Sequence, residues 1–63
     1  MDLNDYLKAD WRLQFMADKE WVWAHLTRVD NHLFADIFVG NGHDMLEAMD
    51  SLCGKLREAG RKP

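Results

Sequence analysis

A single cysteine in a chain of 63 residues is the tightest constraint on what this sequence can fold into. A domain this small buries only about 60% of the surface its unfolded chain exposes, so many such folds lean on disulfides, a metal or a partner subunit. Cys53 alone makes no internal disulfide. Stability then falls to a metal, to self-association or to a core rich in aromatics. Three Trp and three Phe point to the last two. With 48% apolar residues and a formal net charge of −3, the chain is not composed like a disordered one. An unpaired thiol suits a reducing compartment, so a cytoplasmic protein is expected, with Cys53 serving as a small buried hydrophobe. No run approaches the roughly 18 apolar residues of a membrane span. The acidic start, Met1-Asp2-Leu3-Asn4-Asp5, lacks the basic opening of a secretory signal.

Glycine and proline are crowded into the last third, at Gly40, Gly42, Gly54, Gly60 and Pro63. Periodicity must therefore divide the earlier part. Asp2 is placed to cap a short helix that carries Leu3, Tyr6 and Leu7 on one face and ends near Ala9 or Asp10. From Trp11 the pattern changes to the alternation of a strand: Trp11, Leu13 and Phe15 against Arg12, Gln14 and Met16. Asp18-Lys19 reads as a tight turn. Trp21, Trp23, His25 and Thr27 then alternate with Val22, Ala24 and Leu26. Val29-Asp30-Asn31-His32 is the next turn, since Asp and Asn bond their own backbone. A third strand sets Leu33, Ala35, Ile37 and Val39 against Phe34, Asp36 and Phe38, and Gly40-Asn41-Gly42 is expected to stop it.

Asp44 with Glu47 three residues on has the form of a capping box. Met45, Met49, Leu52, Leu56 and Ala59 follow at helical spacing, widened by Leu46, Ala48 and Cys53. Gly60 suits the position just past the helix end. The expectation is one α+β domain over residues 1–60, in the order α-β-β-β-α. It has a three-stranded antiparallel sheet and a long C-terminal helix on one face. Residues 61–63 are left as a disordered basic tail. An all-α reading of residues 2–28, which contain no Gly or Pro, competes with it.

Side chains alternate across a sheet. If the helix covers Val22, Ala24, Leu26, Leu33, Ala35, Ile37 and Val39, the opposite face carries Trp21, Trp23, His25, Phe34, Asp36 and Phe38. Exposed aromatic patches of that kind mark interaction sites, and Trp, Tyr and Phe concentrate at interface centres. These six residues are the candidate partner-binding site. Two copies of the chain could also cover such faces or pair their edge strands, so a homodimer is a second expectation.

Catalytic and metal chemistry find little support. His25, His32, His43 and Cys53 lack the close ligand pairs of zinc sites, so no metal or cofactor is expected. Cys53 lies mid-helix on the apolar side, away from the helix starts that activate thiols. Val39-Gly40-Asn41-Gly42-His43-Asp44 runs from strand to helix, but Asp44 and Glu47 would repel a phosphate. Ten acids and four bases fall in residues 1–50, while four bases and only Glu58 fall in 51–63. The element order resembles that of double-stranded RNA-binding domains. The Lys-rich helix start those domains use is His43-Asp44 and Glu47 here, which argues against nucleic-acid binding. In size and charge the chain resembles small acidic inhibitors of defence or repair enzymes, often phage-encoded.

The function expected is therefore a non-enzymatic protein-binding module, an accessory or inhibitor protein. An alternative is an acidic nucleic-acid mimic that presents Asp30, Asp36, Asp44, Glu47 and Asp50.

Overall fold

The computed structural model describes residues 3–29 and 35–63. The expected order of elements is present. Helix α1 spans Leu3–Lys8, strands β1, β2 and β3 span Arg12–Ala17, Val22–Val29 and Ala35–Gly42, and helix α2 spans Met45–Ala59. The strands form one antiparallel sheet in the order β1-β2-β3. The proposed cap Asp2, the turn residues Asp30, Asn31 and His32, and the strand residues Leu33 and Phe34 lie outside the described residues. Among the described residues, no helix is long and apolar enough to cross a membrane.

Local chemistry explains where the elements stop. Helix α1 buries Leu3 and Tyr6 and is ended by Asp10, whose φ of 67° lies in the left-handed region. Asp is one of the few residues other than Gly that enters that region readily. The reversal lets the Trp11 N–H donate back to the Tyr6 carbonyl at 3.1 Å. The β1–β2 turn is built on Asp18, whose Oδ1 accepts from the N–H groups of Glu20 and Trp21, both at 2.9 Å. Those two donors hold the Asp18 carboxyl below the usual carboxylate range. Asp44 caps α2 through the Glu47 N–H at 2.8 Å, and Glu47 Oε1 in turn accepts from the His43 N–H at 3.4 Å. At the other end Gly60 has φ 64°, and the Gly60 and Arg61 N–H groups donate to the carbonyls of Arg57 and Leu56. That is the Schellman-type ending expected of a glycine there.

The third strand differs from expectation in length and in phase. Gly40, Asn41 and Gly42 do not stop it; they pair with Ala24, Trp23 and Val22 as part of the ladder. Leu26 of the core lies opposite Phe38, so Phe38 and Asp36 share the helix-covered side. Ile37 and Val39, expected in the core, lie on the other side, with Ile37 60% exposed. The glycines give the physical reason. A Cβ at Gly40 would overlap the backbone of Leu52 and Ala48, and one at Gly42 would overlap Glu47 and Ala48. The first half of α2 thus rests directly on the backbone of β3, and only glycine fits beneath it.

The same close approach changes which residues of α2 are inside. Ala48, Leu52 and Leu56 are fully buried, with Met49 and Cys53 packed at the margin. Met45 and Leu46, expected on the buried stripe, are exposed. Toward the far end of the sheet, bulk replaces glycine. Tyr6 meets Trp11 edge-on at 5.6 Å between ring centres, and Trp11 meets Phe38 at 6.2 Å. Trp11 is only 2% exposed. The guanidinium groups of Arg28 and Arg61 approach its ring at 5.9 and 5.3 Å, within cation–π reach. Arg61, assigned to a free tail by the sequence, is tied in three ways. Its carbonyl accepts from the Tyr6 hydroxyl at 2.6 Å, its side chain pairs with Asp36, and its N–H closes α2.

Candidate functional site

Both helices lie on one side of the sheet. Helix α2 packs on β3 and β2, and α1 reaches the same side through Tyr6, Trp11 and Phe38. The opposite side has no covering element among the described residues. Strand register fixes what it presents. Met16, Trp23 and Asn41 form one cross-strand row; Gln14, His25 and Val39 the next; Arg12, Thr27 and Ile37 the third. Such neighbours stand about 5 Å apart and act as one surface.

The residues of this face follow a definite arrangement. Met16 and Ile37 are exposed, while Trp23, His25, Thr27 and Val39 are each half-buried by their neighbours. Gln14, Asn41 and Arg12 lie at the margins. Arg12 is the one charged side chain in the three rows. The central strand contributes Trp23, His25 and Thr27, flanked by Met16, Val39 and Ile37, so apolar and neutral polar side chains mix on a nearly uncharged face, a composition suited to protein–protein contact.

The six residues proposed from sequence do not form one patch. Trp23 and His25 lie on the open face as expected. Phe38 is on the helix side, partly buried against Trp11, and Asp36 is on that side too, paired with Arg61. Phe34 lies outside the described residues. Trp21 sits just before β2 at the hairpin turn, 37% exposed and stacked on His43 at 4.6 Å between ring centres. The His43 ring also contacts the Glu20 carbonyl through Nδ1, at 3.3 Å. Met16, Ile37 and Val39 belong to the open face and were missed. The signal was present in Gly40 and Gly42: two glycines spaced two apart before a helix mark one strand face as its seat, which turns Val39 and Ile37 outward.

The alternative acidic surface is also divided. Asp44 and Glu47 spend carboxylate oxygens on the start of α2, Asp50 is exposed on the same helix, and Asp30 lies outside the described residues. Among the described residues no group of three His, Cys, Asp or Glu side chains is placed to hold a metal ion. A shallow groove lies elsewhere, lined by Leu7, Asp10, Trp11 and Arg12. Comparison with protein families, with curated proteins and with solved structures returns no match.

Proposed function

We propose that this chain is a small non-catalytic binding module, an accessory or inhibitor protein, that engages a target protein through the open face of its sheet. The supporting observation is that both helices cover one side and leave Met16, Trp23, His25, Ile37 and Val39 uncovered on the other. The partner is a protein surface with an apolar centre, because the face offers little for an ionic one. With Arg12 its only cation among the described residues, the face also offers little of the positive groove that nucleic-acid backbones require. Mimicry of a phosphate array has less support, since Asp36 is paired with Arg61, away from the start of α2 that carries Asp44, Glu47 and Asp50.

The test is capture from source-cell lysate by the tagged protein, by its Ile37→Asp variant and by its Trp23→Ala variant, at low and high salt. Ile37 is exposed, so its substitution leaves the core intact. A stoichiometric protein retained at high salt by the wild type and lost by both variants is the expected result. Equal capture by all three chains would refute the open face as the site. A partner that leaves at high salt yet ignores both variants would instead favour the acidic surface, because screening weakens ionic contacts selectively.

A further inference from the structure

The two edges of the sheet are finished differently. On β3, the Lys55 ammonium reaches around from α2 and donates to the Val39 carbonyl. A lysine over an outward carbonyl is one of the ways proteins keep an edge strand from pairing with another chain. Nothing comparable guards β1 among the described residues. Its sequence, Arg12-Leu13-Gln14-Phe15-Met16-Ala17, contains no proline, no lysine and no glycine. Five of its six residues are exposed. Helix α2 sits over β2 and β3 and α1 touches β1, yet Phe15 and Ala17 remain exposed on the helix side of β1.

The ladder determines which backbone groups face out. The Asp18 N–H donates to the Trp21 carbonyl at 3.0 Å, continuing the register in which Ala17 faces Val22. Antiparallel pairs alternate between bonded and non-bonded, so Met16, Gln14 and Arg12 direct their amides to β2. The N–H and C=O groups of Leu13, Phe15 and Ala17 therefore point to the free edge. The Lys55 contact agrees with this alternation, since it leaves Val39 outward on the opposite edge.

We infer that the free edge of β1 pairs with β1 of a second copy, antiparallel and with Phe15 on the two-fold axis, to give a continuous six-stranded sheet. In this register the outward groups of Leu13, Phe15 and Ala17 meet those of the partner's Ala17, Phe15 and Leu13. The two Phe15 rings become a cross-strand aromatic pair on the helix side. On the open side Arg12 falls opposite the partner's Asp18, and Gln14 opposite the partner's Met16. Shifting the axis to Gln14 loses the Arg12–Asp18 match and sets Arg12 against the partner's Met16. Of these two registers, charge complementarity favours the one centred on Phe15. The partner's hairpin turn then arrives beside the groove of Leu7, Asp10, Trp11 and Arg12. This pairing stands independently of the target-binding reading: it engages the edge of β1, with Arg12, Gln14 and Met16 bordering the seam, and leaves Trp23, His25, Val39 and Ile37 uncovered.

Sedimentation or light scattering over a concentration series of the full chain tests it. The wild type should reach a dimer. Phe15→Lys and Phe15→Glu should each raise the dimer dissociation constant by about tenfold or more, because like charges then meet at the axis. Mixing the two variants in equal amounts should restore a one-to-one dimer, which a folding defect would not do. In a second test, Phe15→Cys in a Cys53→Ala background should cross-link to a covalent dimer. Directly opposed bonded residues place their Cα atoms about 5.5 Å apart, so the reaction is run with a short bifunctional thiol reagent that spans the gap between the two side chains. A wild type that stays monomeric throughout would overturn the inference. So would a dimer indifferent to both charged variants, or one that fails to cross-link at position 15.

Discussion

The two ends of the helix-covered face solve the same packing problem with opposite materials. At the Gly40–Gly42 end, α2 is seated on bare backbone, and Ala48 and Leu52 complete the contact. At the Asp36–Phe38 end, Tyr6, Trp11 and Phe38 pack on one another in the core cluster that includes Leu56, with Arg28 and Arg61 against the Trp11 ring. One end depends on the absence of side chains and the other on the largest ones available. A chain without a disulfide can thus obtain a dense core from two contrasting junctions. Each junction is intolerant of change in its own direction: additions at the first, deletions at the second.

Three substitutions sharpen this contrast. Trp11→Ala should have the largest effect, with a loss of about 4 kcal/mol, since removing a buried Trp leaves a cavity its neighbours cannot close. For a domain of this size that is a large share of total stability, and urea denaturation should show a chain largely unfolded at low denaturant. Gly40→Ala should cost about 2–3 kcal/mol, because backbone rather than a flexible side chain must move to admit the methyl group. The smallest change should come from Gly54→Ala, the same substitution within α2 at a position with open space around it. It should stabilise by roughly 0.5–1 kcal/mol through helix propensity. If Gly40→Ala were as benign as Gly54→Ala, the close seat of α2 on β3 would be wrong.

The contrast also explains what could be read from the sequence. Both ends of α2 were legible because their causes are local: Asp44 and Glu47 at the start, Gly60 at the end. The Asp18 turn was legible for the same reason. The phase of β3 was not. Both of its rows contain apolar residues, and Asp36 made the row shared with Phe38 look like the solvent side. That charge is accommodated by Arg61, 25 residues further on, at a half-exposed margin. No local pattern reports such a partner. Two of the four candidate aromatics moved accordingly, Phe38 into the core and Trp21 onto His43. The open face retained Trp23 and His25 and gained Met16, Ile37 and Val39.

The hydrogen bond from the Tyr6 hydroxyl to the Arg61 carbonyl spans 55 positions of the chain, so it closes a loop containing almost the entire molecule. The β1–β2 hairpin and the docking of α2 on β3 close far shorter loops and can form before it. The bond itself is therefore expected to form late, whereas the Tyr6–Trp11 contact is local and can form early. Loss of the hydroxyl in Tyr6→Phe should then appear mainly as faster unfolding in stopped-flow traces, with refolding nearly as quick as before. A bond that closes so long a loop would act chiefly as a brake on opening rather than as an aid to folding.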